Sequence, residues 1–270
     1  MANKGTEAEN YLEYLIREQE NILSLTKTPM PKYTGSLSLD VKNCCDALIK
    51  KFISGGKVGS VNFTAFTLSD YQNTKKIGGK SKADFIITNG TNVYNVSLKY
   101  GKKYHLASPG VSKSSEIFYN AINDAFTSSR NVNAAYKNAS AITPYILQID
   151  KQLSTLKTST KQNISSAMSK YVNSRSSSGG RIVSVFNNSS SSMADFYYEM
   201  KLNIVEECLT GKETTSSNYA DYILNLITPT DIIFEQIDRN YVIQIANNVN
   251  LRISPKSRPR GRQEITFRFE

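Results

Sequence analysis

The chain has a single histidine, no tryptophan and only three cysteines among its 270 residues. One histidine, His105, excludes a metal centre built on several imidazoles. Cys44, Cys45 and Cys208 are too few and too unevenly spaced for a disulfide framework, so we expect buried, free thiols in a reducing cytoplasm. No apolar run approaches the ~20 residues of a membrane-spanning helix, and the start MANKGTEAEN lacks the basic-then-apolar plan of a secretion signal. The sequence predicts a cytoplasmic protein with no membrane partner.

Positive charge is in excess, and it is unevenly placed. The net charge of +10 favours binding to a polyanion such as nucleic acid. Basic residues gather in three places: the glycine loop NTKKIGGKSK, the segment just after the strand-like run VYNVSLKY, and the C-terminal SPKSRPRGRQ. We expect phosphate contacts there, with a solvated basic tail as the alternative. The residues concerned are Lys75, Lys76, Lys80, Lys82, Lys102, Lys103, Lys256, Arg258, Arg260 and Arg262.

Hydrophobic periodicity predicts helices and strands in an α/β (α+β) layer plan, with helices flanking a central mixed sheet. Two amphipathic helices come first, the earlier with a capping box at Thr6 and Glu9, and another begins near residue 114. Further strands are predicted at 61–68, 83–88, 93–100, 181–186, 239–248, 249–254 and 264–269, and helices at 194–209 and 217–227. Residues 143–150 are either another strand or the start of a helix. We place a domain boundary at residue 150: 1–150 form a core, and 151–270 form a polar-loop-rich helical and β region with the basic tail.

Two adjacent strand-like runs, ADFIIT and VYNVSLKY, carry a carboxylate and an amine at matched positions. The turn TNGTN between them has hairpin chemistry. Alternation along the second run puts Tyr94, Val96, Leu98 and Tyr100 toward the core, and Ser97 and Lys99 on the opposite face. In a hairpin, Asp84 and Lys99 then lie near the same end of adjacent strands. A carboxylate can anchor a divalent cation, and a lysine beside it can orient water and stabilise developing charge, as phosphodiester hydrolysis requires.

The segments KAD, ending at Asp84, and SLK, ending at Lys99, resemble the signature of the PD-(D/E)xK nucleases. The resemblance covers residues 39–150 at most. It implies a restriction-endonuclease-like core and a DNA endonuclease that uses Mg²⁺, with Mn²⁺ as a substitute. In that interpretation Asp84 binds the metal and Lys99 is catalytic.

The chain departs from the pattern at two positions. Ala83 stands where proline is common, and Ser97 stands where the signature has an acid, which a serine cannot replace as a charged ligand. Some restriction enzymes of this superfamily share Ser-x-Lys and take the missing acid from the following helix. Glu116 is then the metal ligand and catalytic acid, with Asp124 as the fallback. The competing interpretation is that Glu116 only complements the helix dipole.

A further acid in this superfamily comes from the first helix of the core. Glu9 or Glu13 fits that position, Glu9 as a metal ligand and Glu13 as a catalytic residue, against the alternative of a solvated helix flank. A site-specific enzyme of this kind is typically a homodimer on a palindromic site, whereas a phage or mobile-element nuclease can nick one strand.

Two other functions stay open at this point. One is a non-catalytic nucleic-acid-binding protein in which Ser97 marks a decayed nuclease core. The other is a virion or assembly protein whose Ser/Thr/Asn-rich loops decorate its surface. The presence or absence of a third carboxylate near Asp84 separates the first of these from the nuclease.

Overall fold

A computed structural model describes residues 3–25, 29–78, 81–102, 117, 121, 194–212, 219–248, 251–257 and 263–269. The chain divides into two compact units, one made of Met1–Tyr104 and Leu209–Tyr241 and the other of His105–Cys208 and Val242–Glu270. None of the described helices combines the length and the apolar character that a membrane span requires.

The first unit contains helices and a mixed sheet, and the second contains helical segments and a hairpin. The described elements, in chain order, are α1 (Lys4–Leu23), α2 (Leu39–Ser54), β1 (Gly56–Val58), β2 (Val61–Phe63), α3 (Leu68–Asn73), β3 (Lys75–Lys76), β4 (Phe85–Asn89), β5 (Asn92–Tyr100), α4 (Ala194–Thr210), β6 (Tyr222–Thr228), β7 (Asp231–Gln236), α5 (Arg239–Asn248), β8 (Leu251–Ser257) and β9 (Gln263–Phe269). The mixed α/β architecture that the sequence predicts is therefore confirmed.

A five-stranded sheet, ordered β3-β4-β5-β6-β7, organises the first unit. The β5–β6 pair is parallel and the other three pairs are antiparallel. Strands β6 and β7 follow residue 150 and complete a sheet begun before it, so the sheet combines both sides of the expected domain boundary. Helices α1 and α2 bury their apolar stripes against one face, with residues such as Leu12, Leu48, Val96 and Leu224 in a single core.

The two N-terminal helices are confirmed, but the start of α1 differs from the prediction. The helix begins after Asn3, whose side chain accepts a hydrogen bond from the Gly5 amide at 3.1 Å. The capping box expected at Thr6 and Glu9 is wrong, because an asparagine three residues earlier satisfies a free amide of the first turn.

Three other segments also differ from the prediction. The strand expected at 61–68 ends at Phe63, because Thr67 and Asp70 form a capping box that starts α3. The helix expected at 217–227 is strand β6, buried on both faces, which gives the continuous apolar run of a parallel-paired strand. The strand expected at 239–248 is helix α5, where Asp238 accepts a hydrogen bond from the Tyr241 amide at 2.8 Å.

The hairpin β4–β5, strands β8 and β9, and helices α2 and α4 agree with the prediction, as do the free and buried thiols of Cys44, Cys45 and Cys208. The antiparallel pairing of β8 with β9 is a finding of the structure. Of the helix expected to begin near residue 114, the structure describes Ile117 and Ala121, and both are helical and buried. The strand or helix start expected at 143–150 and the strand expected at 181–186 lie outside the described residues.

Buried polar side chains fix the β4–β5 hairpin at its turn. Gly90, with φ +63°, supplies the positive φ of a two-residue hairpin turn, and its amide donates to Asp70 at 2.7 Å. Asn89 accepts from the Thr64 amide at 2.9 Å and donates to the Thr64 carbonyl at 3.0 Å. These contacts tie the turn of the hairpin to α3 and to the segment that follows β2.

The turn between β1 and β2 packs closely against β7. Gly59 has φ +57°, and a Cβ there would lie 2.3 Å from the Phe234 nitrogen. Ser60 donates to the Phe234 carbonyl oxygen from its amide at 3.0 Å and from its hydroxyl at 3.1 Å. Only glycine fits this approach, because backbone atoms cannot move aside as a flexible side chain would.

We expect Gly59→Ala to lower the free energy of unfolding by about 2 kcal/mol or more, since it combines a left-handed backbone with a backbone clash. Urea denaturation measures the change. Gly78→Ala is the matched control, because a Cβ at Gly78 meets nothing within 4 Å. Equal stability of the two variants would contradict this packing.

Candidate active site

The face of the sheet opposite α1 and α2 carries the polar residues of β5. Tyr94, Val96 and Leu98 are buried in the core, as the alternation predicts. Ser97 and Lys99 lie on the other face, and the register continues to Asp84, which directly precedes β4 and precedes the Phe85–Val96 pair. The hairpin therefore brings the predicted carboxylate, hydroxyl and ammonium together.

Asp84 is held by the backbone on both sides. Its amide donates to the Val96 carbonyl at 2.7 Å, and its carbonyl accepts from the Ile77 amide at 2.8 Å. The Oδ2 atom accepts hydrogen bonds from the Leu98 amide at 2.7 Å and from the Ser97 hydroxyl at 3.3 Å. The hydrogen bonds and the ion pair of this carboxylate within the described residues all use Oδ2.

Lys99 completes a three-residue cluster. Its Nζ donates to the Ser97 hydroxyl at 2.6 Å and to the Leu98 carbonyl at 2.9 Å, and it lies 3.7 Å from Asp84 Oδ2. Its side chain is 17% exposed and that of Asp84 is 25% exposed. The surface ion pair of Lys4 and Asp40 has exposures of 50% and 72%, so the Asp84–Lys99 pair is much less screened by water.

Glu9 on α1 brings a second acid toward this cluster. Burial raises the pKa of the Glu9 carboxyl, and the negative charge of Asp84 raises it further, while Lys76 and Lys99 act in the opposite sense. The charges of Asp84 and Lys99 therefore act on the Glu9 carboxyl. Glu9 lies on α1, the helix from which the sequence predicts a further acid.

Glu13, one turn further along α1, has different partners. It accepts from Arg17 at 2.6 Å and lies 3.9 Å from Lys76 Nζ. Lys76 also lies 3.8 Å from Glu9 and donates to Asn10. The register places Lys76 on the α1 face of the sheet and Lys75 on the face of Asp84, so one lysine ties the helix to the sheet and the other is exposed beside the site.

The donor set suits an oxygen-preferring cation, but the described residues supply only part of it. Asp84 and Glu9 are hard oxygen donors of the kind that Mg²⁺ and Mn²⁺ take. Within the part of the chain that the structure describes, no three His, Cys, Asp or Glu side chains come close enough to hold a metal ion. Glu116 and Asp124, expected to supply the third acid, lie outside the described residues.

Comparisons with family models, with curated proteins and with solved structures find no match.

The basic residues expected to bind phosphate are only partly described. Lys75 and Lys102 are exposed, whereas Lys76 and Lys82 are half-buried. Lys256 lies in β8, and its backbone alone is described. The remaining candidates, and His105, lie outside the described residues: Lys80, Lys103, Arg258, Arg260 and Arg262.

One polar residue of this face has no counterpart among the sequence predictions. Asn225 of β6 pairs with Lys99 in the parallel ladder, and it is 2% exposed. The segment YILNLI contains a single polar residue within an aliphatic run, which is the signal that marks it. The sequence predicts a helix for this segment, and a helix does not place Asn225 on the face of a sheet.

Glu7 and Glu9 should show opposite pH dependence. Hydrogen bonds from Ser38, led by its amide, lower the pKa of Glu7 below its ordinary value of 4.5, so ionised Glu7 favours the folded state. That contribution is present above 4.5 and disappears as the pH falls through the lowered pKa. The pKa of Glu9 is raised from 4.5, so ionisation of Glu9 opposes folding once the pH rises through that raised pKa.

We therefore expect Glu7→Gln to be less stable than the wild type near neutral pH and to approach it in acid. Glu9→Gln should gain stability relative to the wild type as the pH rises. Thermal unfolding of the three proteins from about pH 3 to about pH 8 measures both trends. Parallel pH profiles for the two variants would contradict the assigned environments.

Proposed function

We propose that this chain is a metal-dependent DNA endonuclease with a restriction-endonuclease-like core, in which Asp84 and Lys99 are the catalytic pair. The observation that carries the proposal is the cluster of Asp84, Ser97 and Lys99 at the open end of the β4–β5 hairpin. The order of elements supports it: a helix precedes a mixed sheet, and an aspartate at the start of one strand faces a lysine near the end of the next.

Each residue of the cluster has a distinct task in this proposal. Asp84 and Glu9, with a third acid such as Glu116, would hold the cation through their carboxylate oxygens. When bound, Mg²⁺ or Mn²⁺ polarises the phosphate and activates a water. The Lys99 ammonium positions that water and stabilises the negative charge that develops on the phosphate. Ser97 orients both partners, because its hydroxyl donates to Asp84 and accepts from Lys99.

The net charge and the exposed lysines support nucleic acid as the substrate. Lys75 lies on the edge strand, on the same face as Asp84, and Lys102 follows β5 by two residues. A cation in each position lies near the strand ends that carry the site, where it can contact a phosphate backbone.

A specific observation favours a second candidate, a nucleic-acid-binding protein that does not cleave. The described residues hold no set of three metal-binding side chains, and Ser97 replaces the usual acid. In that case the half-buried Asp84–Lys99 pair only stabilises the hairpin, and binding to DNA depends on the lysines. The following experiment separates the two functions.

We expect the purified protein to nick or linearise supercoiled plasmid in the presence of Mg²⁺, and EDTA to stop it. Asp84→Asn and Lys99→Met should each reduce the cleavage rate by roughly 100-fold or more, because each removes a group acting on the reacting phosphate or water. Gel analysis of plasmid forms over time measures the rates.

The ion pair Lys4–Asp40 provides matched controls for charge alone. Lys4→Met and Asp40→Asn should cleave at the wild-type rate, with far-ultraviolet circular dichroism confirming that all four variants fold. Undiminished cleavage by Asp84→Asn and Lys99→Met would refute the site. A wild type that binds plasmid without cutting it would support the binding protein.

Binding to DNA should depend on Lys75 more than on Lys76. We expect Lys75→Ala to reduce the slope of log K against log salt by about 0.9, the change for one phosphate contact on duplex DNA. Fluorescence anisotropy in EDTA at several salt concentrations measures the slope without cleavage.

Lys76→Ala is the control, because Lys76 contacts Glu9, Glu13 and Asn10. That variant should keep the salt slope and lose thermal stability. A slope that falls in Lys76→Ala and not in Lys75→Ala would show that the DNA lies elsewhere.

A further inference from the structure

Asn225 stands beside Lys99 with an unused acceptor. The two residues are partners in the parallel β5–β6 ladder, so their side chains project from the same face of strands about 4.8 Å apart. Asn225 is 2% exposed, and among the described residues its Oδ1 has no hydrogen-bond partner. A buried acceptor with no donor is rare in a folded protein and calls for an explanation.

Lys99 is the described ladder partner that can supply the missing donor. Its ammonium has three donors, and in this structure they are directed toward Ser97, the Leu98 carbonyl and Asp84. Those acceptors belong to β5 itself and to the β4 side of it, whereas Asn225 lies on the β6 side. Lys99 therefore lies between the acceptors that it already contacts, on β5 and toward β4, and the Asn225 oxygen on β6, which has no donor among the described residues.

A divalent cation on Asp84 changes the balance between these two sets. The carboxylate then shares its charge with the cation, and two positive charges within a few ångströms repel each other. The ammonium gains by turning away from Asp84, and an amide oxygen on the adjacent strand can replace the contact that it loses.

We propose that Asn225 is a positioning residue for Lys99: its Oδ1 accepts a hydrogen bond from the Lys99 ammonium when a divalent cation occupies Asp84. This inference rests on the proposed function, since it takes the cation as a ligand of Asp84. Asn225 thereby fixes Lys99 in a second position, directed away from the carboxylate, and leaves Asp84 free to bind the cation.

The test compares the wild type with Asn225→Leu and Asn225→Asp. Leucine has a similar volume and lacks the acceptor, whereas aspartate keeps an acceptor in the same place. The lysine ammonium groups are labelled with ¹⁵N, and the Lys99 signal is assigned by its absence in the variant Lys99→Arg. MgCl₂ is the probe, and the signal is followed by NMR at fixed pH.

We expect Mg²⁺ to shift the Lys99 ammonium signal in the wild type and in Asn225→Asp, and to shift it clearly less in Asn225→Leu, which lacks the second acceptor. In the plasmid assay, Asn225→Leu should lower kcat about tenfold with KM unchanged, because it misplaces Lys99 without touching DNA. Its thermal midpoint should equal or exceed that of the wild type, since the variant removes a buried polar atom that has no partner.

An equal shift in the wild type and in Asn225→Leu overturns the inference, as does a wild-type signal that does not respond to Mg²⁺. A different outcome is that the wild type does not cleave DNA, but Mg²⁺ shifts the Lys99 signal more in the wild type and in Asn225→Asp than in Asn225→Leu. In that case the proposed endonuclease fails and the positioning role stands. If the wild type cleaves DNA and Asn225→Leu cleaves it equally fast, the positioning role fails and the proposed endonuclease stands.

Discussion

The hydrogen bond from the Leu98 amide to Asp84, at 2.7 Å, sets the geometry on which the site depends. It ties a carboxylate at the start of one strand to the backbone of the next, at the core residue Leu98 that separates Ser97 from Lys99. Leu98 packs in the core below while Ser97 and Lys99 lie on the other face. The same register that buries the apolar side chains therefore aligns the carboxylate, the hydroxyl and the ammonium. A slip of one residue would exchange the two faces and expose the core, so stability and site geometry are selected together.

Helix α1 connects this hairpin to the rest of the unit through charge as well as packing. Its apolar stripe lies in the core, and its flank places Glu9 within the electrostatic reach of Asp84 and Lys99. Lys76 holds that flank against the edge strand by contacting Glu9, Glu13 and Asn10. Burial, and after it the charge of Asp84, opposes the ionisation of Glu9, so a neutral side chain at this position would favour folding at neutral pH. A carboxyl whose pKa is shifted by burial and by a neighbouring charge is a candidate for a functional site.

Sequence reasoning located Asp84, Ser97 and Lys99 because a hairpin is a local structure. The turn residues fix the register, the period-two alternation fixes the faces, and both can be counted along about 20 residues. It failed where long-range pairing decides. The run YILNLI has no alternation because β6 is covered on both faces, and it was assigned to a helix. The parallel pairing of β5 with β6 joins residues that lie far apart in the chain, such as Lys99 and Asn225, and no local pattern signals it. Asn225 was missed for that reason, although it is the one polar residue within its aliphatic run.

The parallel pairing also explains why a single unused acceptor is informative here. In an antiparallel hairpin, the turn sets the register, so the residues that face each other are close in sequence. No turn joins β5 to β6, so the residue that pairs with Lys99 is set by the packing of the whole sheet. Aliphatic residues occupy the neighbouring positions of that face, with Ile223 beside Ser97 and Ile233 beside Asn225. Another aliphatic side chain at 225 would complete the apolar surface at no cost in unpaired polar atoms. An asparagine there, with its oxygen directed to no described partner, is consistent with a lysine that changes acceptors when the carboxylate beside it binds a cation.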